Sequence, residues 1–459
     1  MKATTGHIGP GMCVAVMGYG VTGRSAASYC LSSGAKVIVS DSGNEQGFVQ
    51  QYGDYFWQNN IQYEAGGHSW QFLKQADMVI VSPGIALDSS LVKRLRQKGI
   101  PVAGELAVAA PLLRVPVAAI TGTNGKTTVT SLLGHILRQA GKKVFVGGNI
   151  GIPLLNYLQN GDAEYLVLEL SSFQLETAGD FRADIGILLN ISPDHIDRHK
   201  GFTGYVQAKK NLFSHQRETD VAILYGDDSV CMDGKENLTA ELLTFGASPA
   251  CDAITKGVTV RTERSGKEVL YDLTGTQLAT PIGVRNSAAA ILAAHRWEVE
   301  PEAIRSALSS FRLESHRMQW VGEWNGVTYI NDSKATNTGA VIAALEQFDN
   351  GVILIAGGKH KGEDYSVLQE VLREKVKALV LLGESAEQIH SAVKNSCSII
   401  MVSSLQEAVT KARTLSEPGD TVLLSPACAS FDMFSSYGER GLVFMEIVHA
   451  LLEEPVHHG

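Results

Sequence analysis

Short apolar runs recur along this chain. Most are followed by a glycine-rich or polar turn and then by apolar residues at helical spacing. Cys13 to Met17 reads as a strand, followed by Gly18-Tyr19-Gly20-Val21-Thr22-Gly23 and a helical pattern to Ser33. Lys36 to Ser40 is a second strand closed by Asp41, and Met78 to Ser82 another, ending at Pro83-Gly84. This order predicts a doubly wound parallel sheet for residues 1–103.

A second region, residues 104–313, has strands at Val117 to Ile120, Tyr165 to Glu169 and Ile185 to Asn190, with a helix over Val129 to Leu137. Asp252 to Thr280 alternates and is broken by glycines, which predicts a hairpin appendage; Pro281 to Trp297 is alanine-rich and reads as a helix. A third region, residues 314–459, places strands at Val327 to Asn331, Gly351 to Ala356, Ala378 to Leu382, Ser398 to Val402 and Thr421 to Ser425. Helical patterns separate most of them, so a second parallel sheet is expected.

Composition narrows the function classes. A chain of 459 residues exceeds one hydrophobic core, which agrees with several domains. A net charge of −9 disfavours a nucleic-acid binder, which needs a basic face. No apolar run reaches membrane-spanning length, and Met1 to Gly11 lacks a signal pattern, so a cytoplasmic protein is expected. The six cysteines are scattered and read as reduced thiols; His457 and His458 read as a solvated tail.

The densest chemistry lies at Thr121-Gly122-Thr123-Asn124-Gly125-Lys126-Thr127-Thr128. Two glycines between a strand and a helix let backbone N–H groups turn toward an anion at the helix N-terminus. Lys126 can reach terminal phosphates and the Thr127 hydroxyl can hold magnesium. The full Walker spacing would put a glycine at position 120, where this chain has Ile120, so the match is the shortened G-x-x-G-K-T. Glu169 ends a neighbouring strand, where a magnesium ligand belongs. His195-Ile196-Asp197-Arg198-His199 invites a zinc reading, but an irregular proline loop sets no common face. One histidine beside a magnesium–phosphate centre fits better, with His199 solvated. Lys209 and Lys210 read as a solvated helix face. Gly18 to Gly23 with Asp41 fits a dinucleotide fingerprint, and a dehydrogenase is its plainest reading; the same turn also serves other nucleotides. In the third region, polar loops follow three strands: Asn331 to Asn337, Gly357 to Gly362 and Ser425 to Asp432. Together they predict a substrate pocket. Cys428 among them reads as a packed thiol.

In combination these motifs resemble the Mur ligases and folylpolyglutamate synthetases, which are ATP-dependent amide ligases. Asn331 to Asn337 and Leu424 to Asp432 resemble most the branch that adds D-glutamate to UDP-N-acetylmuramoyl-L-alanine. The resemblance implies three α/β domains: a Rossmann-like N-terminal domain (1–103), a central P-loop-type ATP-binding domain (104–313) and a C-terminal Rossmann-like domain (314–459). It implies that Gly20, Val21, Thr22, Asp41, Ser82 and Gly84 cradle the UDP moiety, and that Asn149 and Gln174 contact the sugar substrate. ATP would be held by Gly122 to Thr128, Asn286, Arg317 and Asp332, and Mg²⁺ by Thr127, Glu169, His195 and Lys209. Lys126, His195 and Lys209 are the implied catalytic groups, with Lys209 N6-carboxylated. Thr336 and Lys361 would bind one carboxylate of D-glutamate, and Ser430 and Tyr437 the other. A monomer is expected, with no nucleic-acid or membrane partner. One departure stands out: the family's His-Asn-x-x-Asn stretch is Arg285-Asn286-Ser287-Ala288-Ala289, so the second asparagine, an adenine contact, is Ala289.

Overall fold

The computed structural model describes residues 8–194, 196, 198–313 and 315–452, so His457 and His458 fall outside it. The chain forms three sheets. The first contains β1 (Cys13–Met17), β2 (Lys36–Ser40), β3 (Gln62–Glu64), β4 (Met78–Val81) and β5 (Val102–Ala103) in the order β3-β2-β1-β4-β5. All its pairings are parallel. Strand order reverses beside β1, which opens a crevice at the carboxyl end of β1 and β4.

The second sheet has nine strands. They are β6 (Val117–Thr121), β7 (Val144–Gly148), β8 (Tyr165–Glu169), β9 (Ile185–Leu188), β10 (Val221–Tyr225), β11 (Glu241–Gly246), β12 (Ala253–Lys256), β13 (Thr259–Arg264) and β14 (Lys267–Asp272). Their order is β14-β13-β12-β11-β10-β9-β6-β8-β7. The expected hairpin appendage is instead an extension of this sheet. β12 pairs in parallel with β11 through Phe245↔Ala253 and Gly246↔Ile254, and β13 and β14 then add antiparallel. β6 is central, between β9 and β8, so the second switch point lies where the phosphate loop leaves it.

The third sheet contains β15 (Gln319–Trp324), β16 (Val327–Asn331), β17 (Val352–Gly357), β18 (Val376–Leu382), β19 (Ser398–Met401) and β20 (Thr421–Leu424), ordered β15-β16-β20-β17-β18-β19. It is not wholly parallel, because β15 joins β16 as an antiparallel edge. Its central strands are apolar on both faces. Val352, Leu354 and Ala356 of β17 enter one core, while Ile353 and Ile355 enter the other. That is the pattern of a parallel strand covered on both sides.

The described chain packs as two compact units. One comprises residues up to 191, 206–272 and 285–309; the other 192–205, 273–284 and 310 onward. In the first unit, Glu105 links two helices, Glu105–Ala109 and Leu154–Asn160. It lies on the short helix Glu105–Ala109, is buried, and its Oε1 accepts the Leu155 N–H at 3.0 Å. Oε2 has no hydrogen-bond partner among the described residues. Burial pushes this carboxyl up to about 7. The fold therefore prefers its protonated form. That contribution is complete below the ordinary glutamate range and is lost as pH rises through about 7. Glu105→Gln is expected to remove this loss: the melting temperature of the variant relative to wild type should rise between pH 5 and 8. Parallel melting curves across that range would refute it.

Candidate functional site

The phosphate loop is built by the sheet beneath it. Ile120 is a fully buried residue of β6, so the strand runs on through Thr121 and leaves a four-residue loop, Gly122 to Gly125. Gly125 has φ +86° and caps the helix Lys126–Gln139; a Cβ there would lie 2.6 Å from Asn286 Oδ1. A side chain is thus excluded by both conformation and space. Asn190, to which the sequence reading gave no role, tethers the loop from the next strand. It accepts the Thr123 N–H on its carbonyl (2.9 Å) and the Asn124 N–H on Oδ1 (2.8 Å), and its Nδ2 donates to Asn124 O (2.9 Å).

Charged and oxygen-bearing groups converge on this loop. Lys126 Nζ donates to Gly122 O at 2.9 Å and to Thr123 O at 2.8 Å. Lys209 Nζ donates to the same Gly122 O at 2.7 Å. The expectation of a solvated Lys209 is therefore overturned: it is 1 % exposed, because the end of the helix Phe202–Lys210 runs against the loop. Lys210 differs, donating to Asp233 at the surface. The Thr127 hydroxyl donates to Glu169 Oε2 at 2.7 Å, and Asn149 Nδ2 to Glu169 Oε1 at 2.8 Å. Thr127 and Glu169 thus present hard oxygen donors side by side next to the loop, a set that fits Mg²⁺. Thr128 is buried one position further along the same helix. Gln174 is buried, and its Oε1 is engaged in a capping box with Ser171. His195 lies outside the described residues. His199, expected to be solvated, is buried, its ring 5.3 Å from that of Tyr205.

At the crevice of the first sheet, Gly18 has φ +87° and its carbonyl accepts the Ser82 hydroxyl at 2.7 Å. A Cβ on Gly23 would sit 2.0 Å from that same carbonyl. Gly23→Ala is expected to cost about 1–3 kcal/mol and to lower the melting temperature by several degrees. An unchanged melt would show that the turn can open. Asp41 already accepts two backbone N–H groups, Tyr19 (2.6 Å) on Oδ2 and Gly43 (2.7 Å) on Oδ1. Each oxygen keeps a further lone pair for a ligand. Gly20 and Val21 are exposed at the start of the helix Val21–Ser32, Thr22 is half-buried beside them, and Gly84 is exposed after β4. Tyr19, in contrast, is buried among Phe48, Tyr52 and Phe56.

In the second unit, three strand-end loops meet around buried Arg440, which sequence reading missed. Its guanidinium donates to Ser333 Oγ (3.0 Å), Ser333 O (2.9 Å) and Cys428 O (3.2 Å). An arginine in a helix ordinarily reads as solvent-facing, so nothing in the local pattern marked it. Asp332 accepts the Met318 N–H (3.2 Å) and the Ser425 hydroxyl (2.9 Å), and burial holds its carboxyl up at about 7. Arg317, half-buried, lies near enough to draw that value down somewhat. Lys361 pairs with Asp194 at 3.7 Å, and Asn337 Nδ2 donates to the same carboxylate at 3.3 Å. Thr336 is half-buried and Ser430 buried. Tyr437 opens the helix Tyr437–Leu452; its carbonyl accepts the Ser333 hydroxyl at 2.8 Å and the residue stays 40 % exposed. Cys428 is buried, with Tyr365 and Ser385 hydroxyls at 3.1 and 3.0 Å, and burial pushes its thiol up. It is a packed thiol, not an activated one.

Fold and site together define an α/β protein with a phosphate loop at a switch point of its central sheet. Three family models match along it: the MurD-like N-terminal domain of Mur ligases at residues 12–104, the Mur ligase middle domain at 120–294, and the Mur ligase glutamate ligase domain at 316–428. The chain belongs to the Mur ligase family, with its three α/β domains. It is 47 % identical to the UDP-N-acetylmuramoylalanine–D-glutamate ligase of Desulfotalea psychrophila over 94 % of each chain. It is 40 % identical to the enzyme of that name from Koribacter versatilis over 97 % of this chain and 98 % of the other. Among solved structures, MurF ligase from Thermotoga maritima, in complex with ADP, shares the fold at TM-score 0.61 and 18 % identity, covering 91 % of this chain and 95 % of that one. UDP-N-acetylmuramate-alanine ligase MurC from Thermotoga maritima does so at 0.59 and 20 %, covering 96 % and 100 %. The dehydrogenase reading of Gly18 to Gly23 falls away.

Proposed function

We propose that this chain is an ATP-dependent amide ligase that joins D-glutamate to UDP-N-acetylmuramoyl-L-alanine in peptidoglycan precursor synthesis. The observation that carries this reading is end-to-end similarity, 47 % over 94 % of each chain, to a ligase named for that reaction. A division of labour follows. Residues 1–103 bind the UDP end, with Gly20, Val21, Thr22, Asp41, Ser82 and Gly84 at the crevice; 104–313 bind ATP; 314–459 bring the amino acid. We place the work in the cytoplasm, where ATP and the UDP-sugar are available; no helix among the described residues is long and apolar enough to cross a membrane.

A carboxylate is a poor acyl donor because oxide is a poor leaving group. In this reading the alanyl carboxylate attacks the γ-phosphate of ATP, releasing ADP and giving an acyl phosphate. The D-glutamate amine then attacks that carbonyl, and phosphate leaves as the amide forms. The chain supplies positioning and charge neutralisation. Lys126 turns from the Gly122 and Thr123 carbonyls to the phosphates, while Asn190 keeps the loop in shape. Thr127 and Glu169 would hold Mg²⁺, whose chemistry is to neutralise phosphate charge. We assign Lys209 a carboxylated form: its neutral amine would add carbon dioxide with loss of a proton, and the new carboxylate would offer oxygen donors to Mg²⁺. His195 is assigned to the same metal shell. Asn149 and Gln174 face the sugar substrate, Asn286, Arg317 and Asp332 the nucleotide, and Thr336, Lys361, Ser430 and Tyr437 the two carboxylates of D-glutamate.

The test is to incubate the protein with ATP, Mg²⁺, UDP-N-acetylmuramoyl-L-alanine and D-glutamate and weigh the UDP-sugar product. A gain of one glutamyl residue is expected. Unchanged substrate, or a gain only when another amino acid from a panel is supplied, would overturn the assignment in favour of a sibling ligase.

A further inference from the structure

The residues assigned to D-glutamate all serve its carboxylates, and the amine that must attack has no ligand among them. That amine arrives as an ammonium. A charge brought into a cleft needs an opposite charge or hydrogen-bond acceptors beside it. In an α-amino acid the amine and one carboxylate share a carbon, so the acceptor must lie next to a carboxylate ligand.

Lys361 has such a neighbour. Asp194 Oδ1 stands 3.7 Å from Lys361 Nζ, and Asp194 is 8 % exposed while Lys361 is half-buried. The separation exceeds the roughly 2.7–2.9 Å of a charge-assisted hydrogen bond, so the two charges are adjacent without closing on each other. Asn337 holds the carboxylate from another side. Its Oδ1 caps the helix Thr338–Leu345 by accepting the Ala340 N–H at 2.8 Å, which leaves Nδ2 to donate to Asp194 Oδ2 at 3.3 Å. Glu363 is close enough to feel both charges, but its Oε2 is committed to Thr338, accepting the N–H at 3.0 Å and the hydroxyl at 2.9 Å. All of these residues belong to the second compact unit.

We propose that Asp194 receives the ammonium of D-glutamate while Lys361 takes the carboxylate on the same carbon. The zwitterionic end of the amino acid then completes an alternating set of four charges with Asp194 and Lys361, and each charge taken out of water meets an opposite one. The inference rests on reading Lys361 as a ligand for a D-glutamate carboxylate.

Glutarate, which is D-glutamate without the amine, separates the two roles. Each is titrated calorimetrically into the full chain loaded with UDP-N-acetylmuramoyl-L-alanine, Mg²⁺ and a non-hydrolysable ATP analogue, so that no turnover is needed. Wild type should bind D-glutamate at least about tenfold tighter than glutarate. Asp194→Asn keeps the shape and loses the charge; it should weaken D-glutamate by about 10–100-fold and leave glutarate unchanged or tighter. Lys361→Met should weaken both. Equal weakening of the two ligands by Asp194→Asn marks a residue that only holds Lys361 in place and overturns the inference alone. So does an unchanged affinity for D-glutamate in that variant. Equal wild-type affinities for the two ligands overturn it without recourse to any variant. If Lys361→Met alters neither ligand, or wild type binds neither, the reading of Lys361 as a D-glutamate ligand fails and the inference with it.

Discussion

Lys126→Ala is expected to lower kcat for ligation by about 10²–10³-fold, the scale for removing one group that neutralises transition-state charge. Lys126 is half-buried, and its Nζ donates to two carbonyls of its own loop, Gly122 O and Thr123 O. The loop's tethers to Asn190 do not involve it. The melting temperature should therefore change little while phosphate release at saturating substrates collapses. A variant with near wild-type kcat would remove Lys126 from the reaction.

Lys209→Ala is expected to cost about 10²-fold or more in kcat, because it removes both the amine at Gly122 O and the proposed carboxylate beside the metal. Its side chain is 1 % exposed, so the truncation leaves a cavity as well. The two effects separate by rescue. Formate or acetate can enter the space and restore a carboxylate, so excess of either should recover part of the activity of Lys209→Ala. Lys209→Met fills the space without the amine and should stay inactive and unrescued. If Lys209→Met is fully active, Lys209 serves packing only.

These two lysines also show how far the sequence could be read. Lys126 was legible because glycine spacing, a preceding strand and a following helix all point to one local structure. Ile120 looked like a missing glycine only against a longer template; it is a buried strand residue, and the loop is simply shorter. Lys209 was not legible from its surroundings. Two adjacent lysines on a helix carry no mark of which one meets a distant loop, and only the family resemblance singled it out. The same limit hid Arg440 and Asn190, whose partners are far away in sequence or are backbone groups. Continuous apolar strands such as β17 were plain, since burial on both faces leaves no ambiguity. β15, Gln-Trp-Val-Gly-Glu-Trp, was missed because it is a half-polar edge. The hairpin of β13 and β14 was seen, but its attachment to β11 through β12 is a long-range pairing that local alternation does not encode.

The measurement that bears most directly on the account is ATP-dependent phosphate release with UDP-N-acetylmuramoyl-L-alanine and Mg²⁺, run in parallel with D-glutamate, L-glutamate and no amino acid. The account predicts sustained release with D-glutamate and only background with the other two. Equal release with both enantiomers, or release that does not depend on an amino acid, would contradict it.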